Sequence, residues 1–181
     1  MAKVFGAGEG LTGYRDGDKM QNRSYVLVDI AEHSQTGLLA TTEFFGAGEN
    51  NGLGMGFTQS DTEADDFDPD KASAVIDLMS GTLKAAYGGS FAEGVTRRTV
   101  VNVPAGSTVK INNIFGGAFG EDNSKVCDVY EANVNYEGEG AFVLGGAVYG
   151  GNNNARRTLY GKVNINATVH SSDRKSTRLN S

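Results

Sequence analysis

The sequence predicts an all-β fold, a right-handed parallel β-helix (β-solenoid) of about four to five irregular coils. Glycine is abundant, at 26 of 181 residues against two prolines, which indicates many tight turns. Short stretches of Val, Ile, Phe and Tyr alternate with polar residues, as in strands. An aromatic residue followed by small residues also recurs, at Phe5 and Gly6, Phe45 and Gly46, Tyr87 and Gly88, Phe115 and Gly116, and Tyr149 and Gly150.

The recurring aromatic-glycine motif describes a ring buried at the end of a strand and a backbone that turns sharply behind it. The rings recur at intervals of 28 to 42 residues, so the loops between units differ in length. Each unit has too few apolar residues to bury by itself and closes only against copies above and below. We expect the rings of successive coils to form an internal ladder with a spacing of about 4.8 Å. A Cβ at these turns would cost about 1 kcal/mol or more if φ is positive there.

A second strand of alternating β-branched residues lies between successive motifs. These strands are predicted at residues 25–30, 74–79, 99–103, 129–136 and 159–166. A further glycine follows most of them and marks a corner, at Gly37, Gly81, Gly106 and Gly140. Residues 72–79 also fit a short helix with Asp68 as N-cap, but the register of the repeat favours a strand.

The last unit contains Val148-Tyr-Gly-Gly-Asn-Asn-Asn-Ala155 followed by Lys162-Val-Asn-Ile-Asn166. It resembles the glycine-rich parallel β-helix repeats of large, adhesin-like bacterial surface proteins, whose units carry a Val-Tyr-Gly-Gly-Gly-Asn-like motif and a Val-Asn-Ile-like strand. The resemblance covers most of residues 3–170, although the first two units have Gly-Ala-Gly-Glu in place of this motif. It implies a structural or adhesive module of a larger exported protein, located extracellularly or at the cell surface, and it supplies no catalytic residues.

The last nine residues, 173–181, differ in composition from the rest of the chain. They contain no glycine or aromatic residue and resemble one translated reading frame of a common sequencing adaptor. We interpret them as a non-native tail, and residues 1–172 as a single β-solenoid fragment from a metagenomic sequence that continues beyond Ser172. Such a fragment has uncapped edges, so we expect it to self-associate.

Charge limits the partners that the chain can bind. The formal net charge is −6 with no basic stripe, which disfavours nucleic acid and anionic lipid as partners. No apolar segment approaches the roughly 20 residues needed to span a bilayer, so this segment is not expected to insert into a membrane. The expected partners are the rest of a larger polypeptide and surface glycans or host proteins.

An acidic insertion at about residues 58–71 holds the only concentrated charge, with six acids in residues 61–70. Asp66, Asp68 and Asp70 alternate like the early ligands of a calcium loop, which makes calcium the one candidate cofactor. Lys71 stands where such a loop has glycine, so a solvated insertion is the favoured interpretation.

The other polar residues give no catalytic constellation, and we do not expect an enzyme. The alternative is a carbohydrate-active β-helix enzyme, a polysaccharide lyase or hydrolase. Glycosidases place two carboxyls about 5–9 Å apart. Strand-adjacent acids that could face outward together are Asp29, Glu43, Asp128 and Glu131. His33 and His170 lack metal-ligand partners, and Cys127 is expected to be packed and inert.

The asparagines at 152–154, 164 and 166 have two interpretations. They can stack as amide ladders between coils, or they can line a surface that binds sugar hydroxyls. Ladders are favoured because they follow from repetition in register, whereas a sugar site also needs exposed aromatic residues.

Overall fold

The computed structural model describes residues 2–7, 24–30, 41–49, 74–121, 127–143, 146–154, 157–166 and 170–171. Within these residues the chain forms strands and no α-helix, and all strand pairs are parallel. The prediction of an all-β, parallel structure is therefore confirmed. The acidic insertion and the tail at 173–181 lie outside the described residues.

Apart from the short strands at residues 142–143 and 148–149, which both lie in the first sheet, consecutive strands alternate between two sheets. The first sheet has the order β1 (Lys3–Phe5), β3 (Glu43–Phe45), β5 (Thr82–Tyr87), β7 (Lys110–Phe115), β9 (Phe142–Val143) and β12 (His170–Ser171), and β10 (Val148–Tyr149) also pairs with β7. The second sheet has the order β2 (Ser24–Val28), β4 (Ala74–Leu78), β6 (Gly94–Val103), β8 (Cys127–Tyr136) and β11 (Arg157–Ile165). Each interior strand therefore pairs with strands from the preceding and following passes of the chain.

The strands predicted from β-branched alternation are all present in the second sheet. Four of them begin before the predicted start: β2 at Ser24, β6 at Gly94, β8 at Cys127 and β11 at Arg157. The segment that also fitted a short helix is β4, a strand with alternating burial. It lies between β2 and β6, where Ile76 packs in the core with no exposed surface. Burial against two neighbouring strands thus accounts for the strand conformation.

The largest apolar cluster lies between the two sheets. Ile76, Val101 and Val134 from the second sheet pack there with Ile111 and Ile114 from the first, all without exposed surface. Burying one such side chain stabilises the fold by about 1.5 to 3 kcal/mol.

Both sheets contain a bend at which the alternation of inward residues changes phase. In β7, Ile111 and Ile114 both enter the central cluster although they are three residues apart. In β8 the inward residues are Val129 and then Ala132, and the register to β6 is interrupted between them. Because the interruption falls at the same place in β8 and β11, the bends are stacked.

Two of the predicted corner glycines have a left-handed backbone. Gly81 has φ +117° and Gly106 has φ +84°, conformations in which a side chain is strained. Among the described residues, the other glycine with positive φ is Gly94, at the start of β6.

Candidate functional site

The five motif aromatics stack in one continuous column. Their ring centroids are 5.2, 4.8, 5.0 and 4.6 Å apart along the series Phe5, Phe45, Tyr87, Phe115 and Tyr149. The rings are parallel to within 8° except for the first pair, which is inclined by 24°. We call this series the aromatic column. Its spacing is the spacing between parallel strands, because each ring stands at the end of its own strand.

A second, shorter column packs edge-on against the aromatic column, and the sequence reasoning missed it. Phe91 and Phe119 stack at 5.5 Å, and Phe119 meets the ring of Tyr87 at 75°. Together these residues form an apolar cluster separate from the one between the sheets. Phe91 and Phe119 each stand four residues after a motif aromatic, a signal that was available in the sequence.

The first glycine of each motif permits contact between successive turns. A Cβ on Gly46 would overlap the carbonyl oxygen of Gly88, and one on Gly88 would overlap that of Gly116. No positive φ occurs at these glycines, so close approach of the backbones, and not a left-handed conformation, is the reason for glycine here. A Cβ on Gly88 would also lie 2.8 Å from Cβ of Thr99, a buried residue of β6.

A row of hydrogen-bonded side chains crosses the outer face of the second sheet. Asn164 Nδ2 donates to Asn135 Oδ1 at 2.7 Å, and Asn135 Nδ2 donates to Asn102 Oδ1 at 3.0 Å. Asn102 Nδ2 then donates to Asp77 Oδ1 at 2.7 Å, and the Tyr25 hydroxyl donates to Asp77 Oδ2 at 2.6 Å. We call this series the amide row. The bond to the Asp77 carboxylate raises the pKa of Tyr25.

The three consecutive asparagines at 152–154 bond to other turns of the chain. Asn152 Oδ1 accepts from the Ala118 amide at 2.7 Å, and Asn154 Nδ2 donates to the Gly120 carbonyl at 2.9 Å. The predicted amide ladder is thus present at Asn164, within a strand, while residues 152–154 fasten one turn to the turn before it.

Three of the four acids considered for catalysis have separate polar partners. Glu43 in the first sheet pairs with Lys84 at 2.8 Å, whereas Glu131 in the second sheet pairs with Arg98 at 2.5 Å. Asp29 accepts from the Ser80 hydroxyl at 2.7 Å, and Asp128 is buried. The described contacts join no two of these carboxylates into a pair.

The calcium candidates Asp66, Asp68 and Asp70 lie outside the described residues, as does His33. Asp77, the acid of β4 closest to them in sequence, has both oxygens engaged in the amide row. Within the described part of the chain, no group of three or more His, Cys, Asp or Glu residues could hold a metal ion.

Cys127 is buried at the start of β8, with its sulfur 3.5 Å from the Ser90 hydroxyl. Burial raises the pKa of its thiol to about 11, which the Ser90 contact opposes only in part. Since the thiolate is the reactive form, burial and the raised pKa disfavour reaction of this thiol in the folded chain.

No helix of the described residues is long and apolar enough to cross a membrane.

Comparison with protein-family models, curated proteins and solved structures finds no match to this chain. Inference about function therefore depends on the residues and their geometry.

Proposed function

We propose that this chain is a right-handed β-solenoid that serves as a structural or adhesive module of a larger exported bacterial surface protein, without catalysis. The aromatic column carries this proposal. It passes through five successive passes of the first sheet without interruption. Uniform stacking of this kind favours an extended, regular support over a pocket.

We infer the right-handed sense of the solenoid from the order in which its strands are connected. Except for β9 and β10, consecutive strands alternate between two parallel sheets, so each full pass returns the chain to a parallel neighbour in the same sheet. Connections between parallel strands of one sheet are right-handed in about 98% of cases. Coil closure by the loops is part of the same proposal.

The polar side chains also support a structural role. Asn102 and Asn135 bond within the amide row, Asn154 bonds to a neighbouring turn, and Glu43 and Glu131 are paired with basic residues. Catalytic carboxylates need access to substrate and to each other. The paired arrangement instead ties strands together.

The test uses cells that carry the full-length gene and antibodies raised against this chain. We expect the antibodies to label intact cells, and we expect purified chain to release no reducing or unsaturated sugar from a panel of polysaccharides. Labelling only after permeabilisation would overturn surface exposure. Sugar release that is abolished by Glu131→Gln would overturn the non-catalytic assignment and favour the carbohydrate-active enzyme.

A further inference from the structure

Three adjacent rungs of the second sheet present polar side chains on its outer face. The register aligns Arg98, Glu131 and Tyr160 on one rung, and Asn102, Asn135 and Asn164 on another, with Asn133 between them. The intervening residues Ala132 and Val134 face the interior and have no exposed surface. We call the outward set of Arg98, Glu131, Asn133, Asn135, Tyr160 and Asn164 the polar face.

The polar face is held in place by its own contacts. Glu131 Oε1 accepts hydrogen bonds from Arg98 Nη2 at 2.5 Å and from Asn133 Nδ2 at 3.2 Å. Asn164 Nδ2 donates to Asn135 Oδ1 at 2.7 Å. An amide has two N–H donors and an oxygen with two lone pairs, so the exposed Asn164 and the half-buried Asn135 keep capacity for a further bond, whereas Asn133 is buried. Side chains that are already ordered lose little entropy when a ligand binds.

Tyr160 adds an exposed aromatic ring to this surface. It is 63% exposed, more than any other large hydrophobic side chain of the described residues, and its rung partner is Glu131. A tyrosine ring provides a rigid, amphipathic surface at low entropic cost, which is why such rings occur in binding sites. An exposed ring beside fixed hydrogen-bonding groups is the combination that a sugar site needs and that ladder formation alone does not explain.

The charges around the polar face cancel. Arg98 and Lys162 are balanced by Asp77 and Glu131, which lie on the same outer face of the sheet. A polyanion needs clustered basic groups, and a polycation needs clustered acids. Balanced charge with fixed amides therefore favours an uncharged, hydroxyl-rich partner.

We propose that the polar face binds a neutral oligosaccharide, with one sugar ring packed on Tyr160 and hydroxyls bonded to the amides and to the Arg98–Glu131 pair. This site would supply the ligand for the adhesive role and rests on that proposed function.

The test is affinity electrophoresis of the purified chain through native gels that contain one polysaccharide each. Neutral probes are β-glucan, xylan, mannan and galactan, and polygalacturonate is the anionic comparison. We expect retardation by at least one neutral probe. Tyr160→Ala should weaken that binding at least about tenfold, while Tyr160→Phe keeps the ring and should stay within about threefold. Leu159→Ala is the matched control, because Leu159 is the preceding residue and is also exposed.

Each outcome decides the proposal. Retardation that is lost in Tyr160→Ala and kept in Leu159→Ala supports it, provided that circular dichroism shows both variants folded. No retardation by any neutral probe, retardation by polygalacturonate alone, or equal binding by Tyr160→Ala would overturn it. The structural role would survive those results if intact cells are still labelled, so failure of the two proposals can be distinguished.

Discussion

The ring of Tyr87 lies 5.0 Å from that of Phe115, with the two planes only 6° apart, although 27 residues separate them in the chain. Their strands pair in register, so the contact is set by the sheet and not by local sequence. The same relationship links Phe45 to Tyr87 and Phe115 to Tyr149. Pairing of the strands in register therefore explains why the motif aromatics stack although they are far apart in the chain.

Removing a ring from the middle of the aromatic column should destabilise the fold. We expect Tyr87→Ala to lower the free energy of unfolding by about 3 to 5 kcal/mol, because it leaves a cavity between two stacked rings. Tyr87→Phe keeps the stack and loses only a 3.4 Å contact from Asn153, so its loss should be about 1 kcal/mol or less. Urea unfolding of both variants measures the difference; equal losses would show that the stack contributes little.

Alanine at two glycines should separate close contact from backbone strain. Gly88→Ala places a Cβ against the Gly116 carbonyl and should cost more than about 3 kcal/mol or prevent folding. Gly106→Ala meets no atom within 4 Å but keeps φ at +84°, so it should cost about 1 to 2 kcal/mol. Thermal unfolding of the pair is the measurement. A smaller loss for Gly88→Ala than for Gly106→Ala would contradict the stacked turns.

The amide row should be sensitive to an added negative charge beside Asp77. Asn102→Asp removes the donor to Asp77 and places a second carboxylate beside it, so at pH 7 we expect a loss of about 1 to 3 kcal/mol. Because like charge raises the pKa of such a carboxyl, the loss should shrink as the pH falls and the pair takes up a proton. Asn164→Asp at the exposed end is the control and should cost less. Urea midpoints at pH 7 and pH 4 test this; a loss that does not depend on pH would argue against charge repulsion.

Alkaline pH should weaken the fold through Cys127. Its pKa is raised to about 11 by burial, so the folded state keeps the thiol proton that the unfolded chain releases. The contribution is present below the unfolded pKa, of about 8.5, and is lost as the pH rises through 11, by roughly 3 kcal/mol in all. Between pH 8 and pH 11 the native chain should therefore lose more free energy of unfolding than Cys127→Ala does. A difference that stays constant over this range would contradict the buried thiol.

Self-association is expected from the outermost strands. In the described part of the chain, the exposed large apolar side chains lie on β1, β2, β10 and β11, including Tyr25 and Leu27 at one edge and Leu159 and Ile165 at the other. Unpaired strand edges with apolar side chains favour pairing with another chain. We expect sedimentation velocity to show larger species as concentration rises, and fewer of them for the double variant Leu27→Lys, Ile165→Lys. A stable monomer at high concentration would contradict this expectation.

The strands of the second sheet could be predicted from short-range alternation. Their parallel stacking could be predicted from the recurrence of the aromatic-glycine motif. The start of β6 could not, because the bend at residue 97 breaks that alternation before the predicted start at residue 99. The reason for glycine at position 88 could not be decided from the sequence, because its contact is with Gly116 and the sequence contains no distance between turns. Asn164 was identified, whereas its partners Asn102 and Asn135 become visible only once the register is known.

The central claim is that successive passes of the chain lie directly over each other in parallel register. Disulfide trapping tests it most directly, in a Cys127→Ala background. Val75 and Val100 are register partners on β4 and β6, about 4.8 Å apart, within the range that a disulfide spans. Val75→Cys with Val100→Cys should therefore crosslink on mild oxidation, and Val75→Cys with Asn102→Cys, two residues out of register, should not. Crosslinking of the offset pair, with none in the aligned pair, would contradict the stacked arrangement.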